Sequence, residues 1–379
     1  MLKSIKYIGF YDVEHNDINR ISSPAAVNKI NYIAGVLNEI GYQVQIISPS
    51  WLKNSSNKKK IAEETIEISE KISVSFPKSW KSNNKISQGL KILFSMIWLF
   101  LYLVRKCKRN EKILVYHSPW LSTPIRLSRF FRRFKLILEV EEIYQDVVQY
   151  KKFFRTWENK LLKSADYYIF STDLLRERLK TKKKSIILYG EYKIFDQLTM
   201  PVEDGKIHLL YAGIIDDVKR GAFNAIEAAK FLDDNYILHI IGFGEIDKLK
   251  KSIEQHNKTY DCKVFFDGSK TGTDYIKYCQ KCHIGLSTQS SEGKYLKSSF
   301  PSKILSYLGM GLKVVSSSID CVKKSDISSL VTYYDNDDGE SISKAIVKSS
   351  CLNINSIVVI NLMHQKFKNE FNNLISENL

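Results

Sequence analysis

A lysine in the first turn of a helix is a misplaced charge unless something negative sits beside it. The segment Ser298–Ser317 holds such a lysine. Phe300 and Pro301 open a predicted helix, Ser302 and Lys303 fill its first turn, and Gly309-x-Gly311 closes it before the strand Lys313–Ser316. The helix dipole disfavours a cation at that end. The charge of Lys303 therefore points to a bound anion, and free N–H groups near Ser299–Ser302 add donors for it.

Two further segments have the same chemistry. Tyr211-Ala212-Gly213 ends a predicted strand, and Lys219-Arg220-Gly221 follows in the loop before a helix. A glycine at a strand end, two cations and a helix start suit a diphosphate, although an exposed Lys-Arg pair is also an ordinary solvated surface. Ile241-Gly242-Phe243-Gly244 gives two of the three glycines of a dinucleotide turn, with Asp247 where the third belongs. Asp267, at the end of the next strand, keeps a dehydrogenase reading open.

Acids and one histidine supply candidate catalytic groups. The predicted strand Leu136–Val140 leads into Glu141, Glu142 and Asp146, and His117 ends another strand. Carboxylates at a cleft orient a hydroxyl or steady developing positive charge; as a surface cluster they simply balance nearby arginines. The loop Glu14–Ser23 offers His15, Asn16, Arg20, Ser22 and Ser23. Cys279-Gln-Lys-Cys282-His283 spells a haem c attachment motif, but its context reads as a helix running into a buried strand, with reduced, packed thiols. No second ligand pair has zinc spacing. Asp335-Asn336-Asp337 reads as turn and capping residues before a helix near Ser341, so no metal and no cofactor is expected.

The elements that must position these groups alternate between strand and helix. Ile5–Phe10, a helix from Pro24 to Ile40 stopped by Gly41, and Tyr42–Ser48 make a Rossmann-like start. Lys53–Lys60 reads as a charged loop. Strands follow at Lys112–Tyr116, Leu136–Val140 and Tyr167–Phe170. The pattern weakens around Lys193–Lys206 and restarts at Ile207–Ala212. The chain, 379 residues long, divides into domains 1–203 and 204–361 with a closing helix over 362–379.

The net charge is +16, which implies an anionic partner. Ten Lys or Arg and one acid lie between Arg105 and Lys135. Just before them, residues 92–104 form the most apolar run, too short at thirteen residues to span a bilayer. It reads either as a buried helix or as one lying in a membrane interface. Residues 92–135, with Trp98 and Tyr102 beside the cations, then meet anionic lipid. No nucleic-acid module is visible, and no nucleic-acid partner is expected.

The three glycine and lysine segments resemble, in order and spacing, the donor domain of family 4 glycosyltransferases. The likeness covers residues 207–335 and, more loosely, 5–48. Gly213 with Lys219, Arg220 and Gly221, then Gly242 and Gly244, then Phe266-Asp267-Gly268, then Phe300-Pro301-Ser302-Lys303 with Tyr307 and Gly311, stand where that family has its motifs. The family's second donor glutamate is replaced by Ser306 and its partner by Ser298, with Glu292 just upstream. The resemblance implies an α/β chain of GT-B fold, two Rossmann-like doubly wound domains facing across a cleft. It implies retaining transfer from a nucleoside diphosphate sugar, a UDP-sugar first among them. Gly213, Lys219, Arg220, Gly242, Gly244, Gly268, Phe300, Pro301, Ser302, Lys303 and Ser306 then bind the donor. Glu141, Glu142 and His117 are the catalytic candidates, and Asn16, Arg20, Ser22 and Ser23 the acceptor-side loop. The acceptor is lipid-linked or a polysaccharide, at the cytoplasmic membrane face. The missing glutamates leave a second expectation, an inactive GT-B assembly partner of a glycan pathway.

Overall fold

The computed structural model describes residues 3–13, 17–147, 152–289 and 300–376. Glu14, His15, Asn16, Glu292, Ser298 and Ser299 lie outside them. The chain forms two compact units. One holds residues 1–171, 175–188 and 367–379, and the other 172–174 and 189–366. The division falls at Leu188/Tyr189, earlier than the Pro201–Gly205 loop, and the chain's end returns to the first unit.

The first unit runs β1 (Lys3–Ile8), α1 (Pro24–Glu39), β2 (Tyr42–Ile47), β3 (Lys60–Ile61), β4 (Glu64–Ser69), β5 (Ile72–Phe76), β6 (Ser79–Trp80), α2 (Lys85–Lys106), β7 (Lys112–Tyr116), α3 (Ser122–Arg132), β8 (Lys135–Val140), α4 (Tyr144–Val147), α5 (Lys152–Ser164), β9 (Tyr167–Phe170), α6 (Asp173–Leu179) and β10 (Ser185–Ile187). Its sheet order is β10-β9-β8-β7-β1-β2-β5-β4. Within this sheet, pairing is parallel except at β4, which runs antiparallel to β5, and β3 and β6 form a separate antiparallel pair. Pro24 presets the first turn of α1, and Ala26, Ile30, Ile33, Ala34 and Leu37 bury one face of that helix. Gly41, at φ +89°, then lets the chain turn into β2.

Helix α2 corrects the sequence reading. It has 22 residues rather than thirteen, because Asn84 caps it by accepting from the Ser87 N–H. Among the described helices it is the one long and apolar enough to cross a bilayer, judged by length and composition. Its inner stripe is nonetheless packed on protein: Trp98, Leu99 and Leu103 are buried, Lys91 donates to the Leu52 carbonyl (2.8 Å), and Ser95 to that of Pro49 (2.7 Å). Trp98, expected at the lipid face, is a core residue here. The outer stripe is Ile86, Leu90, Leu93, Ile97 and Leu101, all exposed. On α3, Leu127, Phe130 and Phe131 are exposed as well, and Phe131 meets Phe100 of α2 edge-on.

The second unit runs β11 (Ile207–Ile215), α7 (Gly221–Ala229), β12 (Tyr236–Gly244), α8 (Ile246–Thr259), β13 (Lys263–Phe266), α9 (Gly272–Gln280), β14 (Ile284–Ser287), α10 (Ser302–Gly309), β15 (Lys313–Ser317), α11 (Asp320–Lys323), β16 (Val331–Tyr334), α12 (Gly339–Ser350) and the first half of α13 (Ser356–Ser376), which belongs to the first unit from Phe367 on. Its sheet is wholly parallel in the order β13-β12-β11-β14-β15-β16. That is the doubly wound Rossmann order. Leu209, Ile226, Leu238, Ile240, Val264, Ile284 and Ile346 lie in the core that α7, α8 and α12 cover.

Strands β11 and β12 continue past the ends that the sequence suggested. Gly213 pairs with Gly242 and Ile215 with Gly244. A Cβ on Gly242 would lie 1.9 Å from the Gly213 carbonyl oxygen, and one on Gly244 2.2 Å from that of Ile215. These glycines admit another strand's backbone, where a ligand-binding turn was expected. The cap before α12 also moves: Asp338 accepts from the Ser341 N–H, while Asp335 accepts from the Ser318 hydroxyl.

Candidate functional site

In the second unit the strand order reverses between β11 and β14, and the carboxyl ends of strands at such a switch point are where doubly wound sheets bind ligands. Helix α10 delivers Lys303 to that end. Tyr307 anchors the helix: it is fully buried, and its hydroxyl accepts the Ala212 N–H at 2.9 Å. Gly285 makes room for this ring, since a Cβ there would sit 2.4 Å from it. Held this way, the Lys303 amine lies 4.1 Å from the centre of the Tyr211 ring and fills the space a side chain on Gly213 would need. Burial, and then the charge of Lys219, push the Lys303 amine down to about 8.

The neighbouring loop is tightly wound. Asp216 accepts from the Lys219 N–H through its side chain (2.6 Å) and from the Arg220 N–H through its carbonyl (3.2 Å). Arg220 sits in the left-handed region at φ 55°, a strained setting for a residue with a side chain, and it is the N-cap of α7. Asn224 donates to the Thr288 carbonyl (3.1 Å), and Thr288 donates to that of Gly221 (2.6 Å), so α7 is tied to the segment after β14. Pro301 is the N-cap of α10 and no side chain caps that helix. Phe300 is buried against Tyr189 at 5.3 Å. Ser306 donates to the Ser302 carbonyl of its own helix.

Lys303, Lys219 and Gly213 are thus brought together. Gly242 and Gly244 serve the strand pair, while Gly268, at φ +75° with open space around it, accepts the Gly242 N–H through its carbonyl. Asp267 is engaged by His239 (3.1 Å), which stacks on His208. The glycine turn and free acid of the dinucleotide reading are therefore both committed elsewhere.

In the first unit the strand order reverses between β1 and β7. A polar cluster lies at their carboxyl ends. Glu141 pairs with Lys29 of α1 at 3.1 Å, and Lys29 donates to the Leu188 carbonyl at 2.8 Å. Glu142 is half-buried, and burial followed by the charge of Glu141 raises its carboxyl. Between strand and cluster sits Glu139, which the sequence reading passed over. It is fully buried, accepts from the Tyr7 hydroxyl, and is raised to about 8 by burial and by Glu141. Its only signal in the sequence is one carboxylate inside the apolar run Leu136–Val140.

Two residues expected to face a ligand are framework groups instead. His117 is buried and held near 4 by desolvation, so it is neutral; its Nδ1 lies 3.1 Å from the Glu142 carbonyl oxygen and fixes that loop. Arg20 is 1% exposed, donates to Ser50 and Glu64, and lies 4.1 Å over the Phe76 ring. Ser22 is half-buried, and Ser23 is exposed as the N-cap of α1 without a side-chain capping bond.

No family model and no curated protein matches the chain. Solved structures do. Sucrose-phosphate synthase from Thermosynechococcus elongatus is similar with a TM-score of 0.68 at 13% identity, covering 98% of each chain. A UDP-forming trehalose-phosphate synthase from Burkholderia xenovorans gives 0.63 at 11%, covering both chains completely. HepE of Anabaena, in complex with UDP and glucose, gives 0.58 at 11%, covering 98% of this chain and all of the other. The chain has the two Rossmann-like sheets of the GT-B glycosyltransferase fold.

Proposed function

We propose that this chain is a glycosyltransferase that moves a sugar from a nucleoside diphosphate sugar to a lipid-linked or polysaccharide acceptor. The observation that carries the reading is the Lys303 amine held over Gly213 at the switch point, with Lys219 beside it. A diphosphate is the anion that suits two cations at a strand end and an uncapped helix start. As the bond to the anomeric carbon breaks, Lys303 and Lys219 offset charge on the departing phosphate without a metal. A UDP-sugar is the first donor to try, because two structures of similar fold are described as UDP-forming or bound to UDP. Retention, a place in cell-surface glycan synthesis and a family 4 relationship rest on the sequence resemblance. The exposed stripe of α2 supports work at the cytoplasmic membrane face.

The test is a melt of the purified protein with UDP-, GDP- and ADP-sugars. At a hundred times Kd a bound donor stabilises by about 2.7 kcal/mol. The matching Tm rise is expected for one of them and is lost in Lys303→Ala. If no nucleotide sugar moves Tm, the proposal fails. A second reading, an inactive GT-B partner, is favoured by Ser306, whose hydroxyl is turned to its own helix and offers no acid to a ribose. Donor binding without any transfer would select it.

A further inference from the structure

Nothing in the packing of the first unit calls for a carboxyl at Glu139. Leu136, Ile137, Leu138 and Val140 of the same strand are apolar and buried, and a leucine would fill the position at no desolvation cost. The side chain instead meets ionisable groups from every element around it: Tyr7 of β1, Tyr116 of β7, Lys29 of α1, and Glu141 beyond the end of its own strand, with Glu142 and Tyr144 next to Tyr116. The Tyr7 hydroxyl donates to Oε2. Oε1 is buried and has no hydrogen-bond partner. Lys29 is the single cation of the group, and it is shared with Glu141 and the Leu188 carbonyl. Two carboxylates held beside one ammonium repel each other when both are ionised. Glu139, wholly enclosed, is the one that keeps a proton, while the Glu141 side chain is 25% exposed and paired with Lys29.

We propose that Glu139 and Glu141 form a one-proton carboxyl pair for the transfer step, with Glu141 as the group that meets the acceptor hydroxyl and Glu139 as its positioning acid. This rests on the transferase reading above. The acceptor oxygen bonds to the anomeric carbon, the bond from that carbon to the diphosphate breaks with its electrons leaving on phosphate, and the hydroxyl proton passes to Glu141. Glu139 retains its own proton throughout, so the pair carries one negative charge before the step and none once Glu141 holds the hydroxyl proton, which then passes to solvent and restores the pair. Loss of the Glu139 proton places two negative charges side by side and drives Glu141 away from its partner Lys29.

Infrared spectroscopy of the whole protein reads the pair directly, through the C=O stretch of a protonated carboxylic acid followed from about pH 6 to pH 10. The band is expected to titrate with a midpoint of about 8 and to be absent in Glu139→Gln. Glu141→Gln removes a neighbouring negative charge and should move the midpoint down; Lys29→Met removes the cation and should move it up. If Lys29→Met does not fold, the Glu141→Gln shift alone decides the sign. A band that survives Glu139→Gln, or a midpoint that ignores Glu141→Gln, overturns the pair. In a transfer assay, Glu139→Gln should keep KM and lessen the alkaline fall in kcat, leaving only the part that Lys303 contributes; an unchanged alkaline fall overturns the positioning role. The infrared arm needs no substrate, so its failure is separate from a failure to bind any nucleotide sugar.

Discussion

The Lys303 amine is charged below about pH 8 and neutral above it, because burial and Lys219 both work against the ammonium. Its attraction for a diphosphate should follow that charge. Titration calorimetry with UDP between about pH 6.5 and 9.5 should show affinity falling as pH rises through 8, by roughly tenfold or more if one charge-assisted bond of about 1.5–3 kcal/mol is lost. A flat profile sinks the assignment. Lys303 was legible in the sequence because its charge opposes the helix dipole, and that conflict is local. Glu139 was not, because its surroundings are Tyr7 of β1, Tyr116 of β7 and Lys29 of α1, distant in the chain, which no local pattern states. His117 and Arg20 look the same in sequence whether they face a ligand or a neighbouring loop. Only the positions of Glu142, Ser50 and Glu64 decide the matter.

At the level of elements, the alternation of strands and helices was readable throughout the second unit, since parallel strands there are short apolar runs between amphipathic helices. The polar hairpin β4–β5 escaped notice, because most of β4 faces solvent and shows no apolar period. The length of α2 escaped as well, for its first turn is polar and its start is set by the Asn84 cap. The extension of β11 and β12 through three glycines was hidden by the usual meaning of such residues as turns. That extension is testable. Gly242→Ala places a methyl carbon against the Gly213 carbonyl at a positive φ of 147°. The substitution should cost roughly 2–4 kcal/mol in urea unfolding, within the range of severe backbone mutations. A loss below about 0.5 kcal/mol would mean that the strands do not pair there.

For the molecule as a whole, charge and apolar surface coincide. Much of the basic excess lies in and after α2 and in α3, with Arg105, Lys106 and Arg132 in the last turns of those helices, and the same two helices expose Leu90, Ile97, Phe130 and Phe131. Exposed apolar side chains and cations on the same two helices support the proposal that this face meets an anionic bilayer, with the packed inner stripe of α2 turned away from it. Sedimentation with vesicles of phosphatidylglycerol and phosphatidylcholine should capture the protein. Leu90→Glu with Ile97→Glu should lower that capture at least about tenfold, and raising salt should weaken it further as the Debye length shortens. Equal capture of the double variant would refute the surface.

The chain leaves the first unit at Leu188 and returns to it at Phe367, where Phe367 and Phe371 are buried and Lys112 donates to the Leu374 and Ile375 carbonyls. Seen from the ribosome, the order of birth is therefore inverted. The second unit is nearly contiguous and can finish folding as it emerges, while the first, begun earlier, waits for the residues from Phe367 onward to supply part of its core. Loss of the turn that carries Phe367 and Phe371 would thus harm the unit whose strands were made before it.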